Sequence, residues 1–235
     1  MISFQRLPAR LFAALLPAAA LRHSSAHMTR KTAIFLCLFT ATQAAAHPHV
    51  FVETQLRVEV TDGMITGVDV TWSYDDFFTL LILEDMGLDP DGDAVLSAAE
   101  LEQLRGFDLV EWPPGFEGDL YMSVSETPIL LGHPQPTEIA VTEGRIVASH
   151  RRTLPPTPVG QVVLRQYDPT YYVDYTLVGV DLAAPCRALV TPPDPEAADE
   201  AIAKALELPP ENEFDMLELG IYTADIVQFT CDPAS

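Results

Sequence analysis

The sequence has little positive charge and few cysteines. Lys and Arg together number 13 against 34 Asp and Glu, which gives a formal net charge of −21, and there are 3 Cys. Such an acidic surface repels nucleic acid and anionic lipid headgroups, so we expect no nucleic-acid partner and expect cations as ligands. The same charge also suits plain solubility in a salty environment, which requires no ligand.

The chain also lacks the motifs of common enzyme classes and any long apolar run. It has no hydrolase triad pattern, no phosphate-binding loop and no C-x-x-C pair, so no catalytic residue is predicted. The alternating strand–helix pattern of a two-lobed substrate-binding receptor is also missing. The apolar run near the N-terminus is shorter than the roughly 20 residues of a membrane span, so we expect no span in the mature protein.

The first 46 residues have the composition of a leader peptide. Two basic residues precede a short apolar run over 33–39, and Ala44–Ala46 supply the small residues that signal peptidase accepts. We expect cleavage after this triplet, with Met28 as the true start or else a long bipartite leader, and a single periplasmic domain over 47–235. Only 8 of the basic residues and all of the acidic ones follow the cleavage point, so the mature charge would be −26.

Cleavage there would place a histidine at the mature N-terminus. His47 could then bind a metal through its α-amine and imidazole together, and His49 would add a second imidazole. Pro48 has no N–H to lose, which blocks the square-planar amino-terminal copper/nickel motif. A third ligand could come from His150 or from His133. Such nitrogen ligands suit copper, nickel, cobalt or zinc; the alternative is an ordinary strand start with solvated histidines.

A twelve-residue segment from Asp89 to Glu100 has the spacing of an EF-hand calcium loop. Its predicted ligands are four carboxylates, one backbone carbonyl and one position often filled through water, namely Asp89, Asp91, Asp93, Glu100, Val95 and Ser97. Position 6 is Ala94 instead of Gly, and a left-handed Ala costs about 1 kcal/mol. We therefore expect weak calcium binding, at ~10⁻⁴ to 10⁻³ M. The alternative is a plain acidic loop between two helices.

Alternation of apolar and polar residues predicts a mainly β fold with sandwich-like antiparallel sheets. A β-hairpin is expected over about 50–73, with its turn at Asp62-Gly63. An EF-hand-like helix–loop–helix is inserted at about 75–105, where Asp75-Asp76 cap the first helix and Gly87 ends it. The remaining elements are strands at 120–126, 137–142, 145–153, 161–167, 171–178 and 187–191, with Pro155-Pro156 as one of the breaks, then a C-terminal helix at 195–206 and a last strand at 226–231.

Two cysteines remain after removal of the leader, which contains Cys37. In an oxidising compartment we expect Cys186 and Cys231 to form one disulfide. The alternative is a pair of buried free thiols.

Four separated motifs occur in an order that resembles a known bacterial family. They are His47–Glu53 (HPHVFVE), Trp72–Asp76 (WSYDD) leading into the calcium-type loop, Tyr167–Tyr172 (YDPTYY) and the two late cysteines. Together they resemble the family called domain of unknown function 1007 over essentially all of 47–231. The resemblance implies a periplasmic component of an ABC-type transport system, encoded near nickel/cobalt-type exporters, and hence an inner-membrane metal transporter as partner. Ala94 departs from the glycine usual in the family's loop.

Three functions compete on these grounds. The first is a periplasmic accessory protein that delivers or senses a transition metal through His47 and His49. The second is a non-catalytic protein-interaction module stabilised by calcium. The third is a histidine-brace copper enzyme that uses His150 as its distant imidazole. Asp168 is expected to form a turn beside a core aromatic from Tyr171-Tyr172, or else to orient a metal-bound histidine.

Overall fold

The computed structural model describes residues 49–110, 112, 116–207 and 219–232. The predicted leader, its cleavage point and His47 therefore lie outside the described residues. The described strands are β1 Val50–Thr61, β2 Met64–Tyr74, β3 Leu120–Val124, β4 Thr127–Pro128, β5 Gln135–Thr142, β6 Arg145–Pro158, β7 Val162–Gln166, β8 Val173–Leu182, β9 Cys186–Thr191 and β10 Ile226–Cys231. The α-helices are α1 Asp76–Met86, α2 Ala98–Leu104 and α3 Pro195–Glu207.

The strands form two five-stranded sheets around one core. The first sheet has the order β5-β6-β2-β1-β8 and the second the order β4-β3-β7-β10-β9. Buried apolar side chains of both sheets, such as Leu56 and Leu164, belong to a single cluster. The mainly β fold class is therefore confirmed. No helix among the described residues is long and apolar enough to cross a membrane.

The β1–β2 hairpin follows from period-two alternation. In β1 every second side chain from Val50 to Val58 is buried, as the sequence pattern requires. Asp62 and Gly63 have φ values of 50° and 72°, so both central residues of the turn are left-handed. Such a turn matches the twist of the flanking strands, which is why Asp-Gly favours hairpins. The predicted hairpin is confirmed, with β2 extended by one residue to Tyr74.

One strand pair departs from the predicted antiparallel arrangement. β1 pairs with β2 antiparallel but with β8 parallel, in a register that begins at Val50↔Val173. The first sheet is thus mixed, so the predicted antiparallel arrangement is wrong for the β1–β8 pair, while the other described pairs are antiparallel. Side-chain alternation is the same in both kinds of ladder, so the sequence pattern could not distinguish them.

The proline pair 155–156 does not end β6, contrary to prediction. The strand continues to Pro158, and its end pairs with β2 through Thr157 and Pro158. β5 pairs with β6 only as far as Arg151. Pro155 and Pro156 have no partner in either ladder, because the β2–β6 register shifts between Ile65 and Gly67, so their missing N–H groups remove no ladder hydrogen bond.

The helix ends have the predicted caps. Asp75 is the N-cap of α1, and its carboxylate accepts a hydrogen bond from the N–H of Phe78 at 2.8 Å. The other carboxylate oxygen of Asp75 accepts from the N–H of Phe51 at 2.8 Å, which joins the helix to the start of β1. Gly87 ends α1 in a left-handed conformation.

A disulfide joins the edge strand of the second sheet to its neighbour. Cys186 of β9 and Cys231 of β10 lie opposite each other in the antiparallel ladder and are bonded. The predicted pairing is confirmed. The bond joins positions 45 residues apart.

We predict that replacing both cysteines by serine lowers the free energy of unfolding by about 4 kcal/mol, because the closed loop restricts the unfolded chain. Denaturant unfolding of the double variant against wild type measures this. The matched control is Thr230→Ala on the same strand, which leaves the bond intact and is expected to cost far less. A double variant as stable as wild type would contradict the prediction.

Candidate metal centre

The loop between α1 and α2 gathers three carboxylates. Asp89, Asp91 and Asp93 each offer a carboxylate oxygen, and these oxygens lie within 4.8 Å of one another. Asp89 is half-buried and the other two are exposed. Carboxylate oxygens are the ligands that calcium prefers. The sequence spacing of these three residues thus corresponds to real proximity in the folded loop.

The loop folds around the carboxylate of Asp89. Its two oxygens accept hydrogen bonds from the N–H groups of Asp93 and Ala94, both at 3.1 Å. Ala94 has a φ of 58°, the left-handed conformation that favours glycine at position 6. Leu96 packs against the core and fixes the loop to the body of the protein. The side chain of Val95 is 71% exposed.

Glu100 closes the loop from its other end. It forms a capping box with Ser97: the Glu100 carboxylate accepts from the Ser97 N–H at 2.8 Å, and the Ser97 hydroxyl oxygen accepts from the Glu100 N–H at 3.4 Å. The Ser97 hydroxyl also donates to the Glu100 carboxylate at 2.7 Å. The N–H of Asp89 donates to the other oxygen at 3.4 Å. The hydrogen bonds from Ser97 lower the pKa of Glu100, so the carboxylate is held in its charged form. Glu100 thus contacts the loop through the N–H of Asp89, whereas the carboxylates that the described structure gathers within 4.8 Å are those of Asp89, Asp91 and Asp93.

The predicted nitrogen site is described only in part. His49 is exposed at the start of β1, and its backbone N–H donates to the carbonyl of Tyr172 at 2.9 Å. The rings of His49 and Tyr172 have centroids 5.0 Å apart. The imidazole thus lies beside the Tyr172 ring, in an exposed position just before β1.

Asp168 organises the turn that contains Tyr172, whose carbonyl accepts hydrogen bonds from the start of β1. Its buried carboxylate accepts from the N–H groups of Thr170, Tyr172 and Val173 at 2.8 to 2.9 Å. The predicted turn is confirmed. The core aromatic was assigned wrongly: Tyr171 is left-handed with φ 58°, Tyr172 is 50% exposed, and the strand starts only at Val173. Tyr171 and Tyr172 belong to the turn, and the extended strand begins after them.

His150 does not lie near His49. It pairs with Val70, which in turn pairs with Leu56, seven residues beyond His49 along β1. At about 3.3 Å per residue this places the two histidines roughly 20 Å apart along the strand direction. The structure therefore does not bring His150 into a site with His49, and the same separation speaks against a histidine brace. His133 is exposed in the segment between β4 and β5.

His150 belongs instead to a polar group inside the sandwich that the sequence did not reveal. It is 1% exposed, packs edge-on against Trp72 with ring centroids 4.7 Å apart, and neither ring nitrogen has a hydrogen-bond partner among the described residues. Burial, and then the positive charge of Arg152, lower its pKa to about 4. His150 is therefore neutral at pH 7. Polar residues at buried positions of β6 were the available signal, because Arg152 follows on the same face.

Asp119 is another buried polar residue that the sequence did not reveal. The hydroxyl of Tyr175 donates to one of its carboxylate oxygens at 2.9 Å, and Gln166 donates to its backbone carbonyl at 3.0 Å. Burial raises the pKa of Asp119 to about 7, although the bond from Tyr175 opposes the shift. A buried carboxyl and a tyrosine hydroxyl thus meet although they are 56 residues apart in the chain. No short sequence motif could indicate a contact over that separation.

The comparisons with known proteins agree with these motifs. The family profile "Protein of unknown function (DUF1007)" matches residues 32–231. The chain is also 23% identical over 210 residues to an uncharacterised protein of Haemophilus influenzae, covering 85% of this chain and 98% of that one. No solved structure matches significantly. The class is thus a mainly β protein with an acidic inter-helix loop, and the chain belongs to the DUF1007 family of proteins of unknown function.

We predict that His150→Leu changes how stability depends on pH. The folded pKa is lowered from 6.5 to about 4, so wild type loses stability as pH falls through this range, on the order of 2 kcal/mol at pH 5. The variant lacks this loss. The free energy of unfolding of the variant, relative to wild type, should therefore rise as the pH falls from 8 to 5. Denaturant unfolding at the two pH values measures this.

Asp119 titrates with the opposite sign, but it is present in both proteins and cancels in the comparison to first order. His133→Leu, at an exposed position, is the control and should show a smaller change with pH. A constant difference between wild type and His150→Leu at the two pH values would show that His150 does not titrate as a buried neutral group.

Proposed function

We propose that this chain is a non-catalytic, periplasmic metal-binding accessory protein. In this proposal a calcium ion occupies an EF-hand-like site over Asp89–Glu100, and a transition metal binds at the N-terminus of the mature domain. The observation that carries the proposal is the proximity of the three Asp carboxylates, within 4.8 Å, on a loop between two helices. An inner-membrane metal transporter is the proposed partner, as the family resemblance implies.

The calcium site is supported by the way the loop is closed. Asp89 binds the backbone of its own loop, and Glu100 reaches back to the N–H of Asp89. Carboxylates at positions 1, 3, 5 and 12 would supply most of the oxygens of such a site, with the Val95 carbonyl and Ser97 completing the set. Because Leu96 packs into the core, an ion here would stabilise the fold rather than move a domain.

The transition-metal site is supported by the accessibility of His49. This residue is exposed, and its backbone is fixed by the Tyr172 carbonyl. A chelate that includes the neighbouring His47 would therefore be presented on a rigid strand end. Copper, nickel, cobalt and zinc all accept such ligands. The interaction-module alternative requires calcium but not this chelate, and the experiments below separate the two.

We predict that calcium raises the melting temperature of the chelator-treated protein. At ten times the dissociation constant the gain is about 1.4 kcal/mol, or roughly 3–6 °C for a domain of this size. Asp91→Asn and Glu100→Gln should weaken the effect because each removes a charged ligand. Ala94→Gly should raise the melting temperature with and without calcium, because Ala94 is already left-handed in the described structure and glycine relieves that strain in both states. Thermal unfolding across a calcium titration measures all of these.

Glu102→Gln is the matched control for Glu100→Gln, since it removes the same charge from the same helix outside the predicted ligand set. It should leave the calcium response unchanged. The calcium proposal fails if magnesium has the same effect at the same concentration, or if Asp91→Asn responds like wild type.

We predict that the mature protein binds copper or nickel through the α-amine of His47. Adding one alanine before His47 should weaken binding nearly as much as His47→Ala, because the amine moves away while both imidazoles remain. Binding should also weaken from pH 8 to pH 6, because an α-amine with a reference pKa of about 7.7–8.0 becomes protonated. Calorimetric titration of the purified variants tests both statements.

Gln135→Ala, at an exposed position that carries no imidazole, is the control variant and should bind like wild type. Equal affinities of the wild-type and alanine-extended proteins would rule out the amine chelate. If the calcium response persisted in that case, the calcium-stabilised interaction module would be the better description.

A further inference from the structure

The outer face of α1 is apolar and uncovered in the described chain. Phe77, Leu80 and Leu81 are 68%, 62% and 46% exposed. Their i, i+3, i+4 spacing places them on one face of the helix, and we call these three residues the α1 patch.

The opposite face of α1 is already packed. Leu83 is buried, and the buried hydroxyl of Thr79 accepts a hydrogen bond from the N–H of Ile146 at 3.0 Å. Phe78 packs on Tyr74, with ring centroids 5.1 Å apart. The helix is therefore fixed in orientation, and its second apolar face cannot turn inward. A helix that is apolar on both faces is typical of one that is covered on both.

The charges around the patch indicate what covers it. Asp76, Glu84 and Asp85 are exposed on the same helix, which contains no Lys or Arg. The whole chain has a net charge of −21. We call these three acidic residues the acidic rim; they would repel an anionic membrane surface. A complementary surface would be apolar at its centre and basic at its edge.

A second copy of the chain does not fit the patch. It would bring the same acidic rim against itself, and like charges in contact oppose association. The area is also small: the three side chains leave on the order of 300 Å² of apolar surface, since an aromatic side chain buries roughly 150–250 Å². A stable dimer buries about 800 Å² on each partner. The patch therefore suits a smaller, transient contact with a different protein.

We propose that the α1 patch docks a partner protein through an apolar, helical segment bordered by Lys or Arg. Phe77, Leu80 and Leu81 contact the apolar face of that segment, and Glu84 and Asp85 face its basic residues. Helical segments recognised through i, i+3 and i+4 anchors are a recurrent mode of protein association.

The proposal is tested with the purified mature protein and two synthetic helical peptides. Both carry the same leucine face, bordered by Lys in one and by Glu in the other. The Leu/Lys peptide should bind, and the Leu/Glu peptide should not. Leu80→Gln combined with Leu81→Gln should weaken binding of the Leu/Lys peptide by about tenfold or more, as expected for two central apolar contacts. Fluorescence anisotropy measures the affinities.

Leu189→Gln is the matched control, because Leu189 of β9 is similarly exposed at 59% but lies on the second sheet. Glu84→Gln with Asp85→Asn should weaken binding and reduce its dependence on salt. If the Leu80/Leu81 variant bound like wild type, the attraction would be charge alone and the docking proposal would fail. Equal binding of the Leu/Glu peptide would also overturn it.

A crosslinking experiment in cells distinguishes the possible occupants. A photoreactive residue at Leu80 should crosslink to an apolar segment of another protein with adjacent Lys or Arg, identified by mass spectrometry of the joined peptides. The same residue at Leu189 should not give this product. Crosslinks from Leu80 to a second copy of the chain or to lipid, or the absence of any crosslink, would overturn the proposal.

Discussion

The position of β1 between an antiparallel and a parallel neighbour is the constraint on which the first sheet depends. β2 and β8 pair with β1 along most of its length. At its start, the carboxylate of Asp75 binds the N–H of Phe51, and the Tyr172 carbonyl accepts from His49 and Val50. These contacts come from chain segments more than twenty and more than one hundred residues away. They hold the first residues of β1 in place in the first sheet.

The turn that supplies Tyr172 depends in turn on a single buried carboxylate. Asp168 binds the backbone of its own turn, and Gly220 passes so close that a Cβ there would collide with the Asp168 carbonyl oxygen. A side chain at 220 would therefore displace the turn. The start of β1 and Gly220 thus both contact this one turn.

The interior and the surface handle charge in opposite ways. Inside, Arg152 is 2% exposed, and its guanidinium donates to the carbonyls of Gly132 and Glu117 and lies over the Trp112 ring at 4.7 Å. A buried charge is tolerated when its donors are satisfied in this way. Outside, the acidic loop and the rim of α1 concentrate negative charge close to the α1 patch. A negative field of this kind attracts cations and repels anions.

Much of the local structure was determined by the sequence alone. Period-two alternation defined the β1–β2 hairpin, Asp75 and Gly87 defined the ends of α1, and the spacing of Asp89, Asp91 and Asp93 placed three carboxylates together. These features depend on interactions between residues close in the chain, so short-range patterns record them. The pairing of Cys186 with Cys231 was also predictable, because only two cysteines follow the predicted leader.

The tertiary structure decided what depends on distant contacts. The parallel pairing of β1 with β8, the continuation of β6 through its prolines, and the burial of His150 far from His49 follow from which strands become neighbours. The same holds for the meeting of Tyr175 with Asp119, and for the face of α1 that is left uncovered. Side-chain alternation shows that a strand has a buried face, but strand order and register determine which residues meet across it.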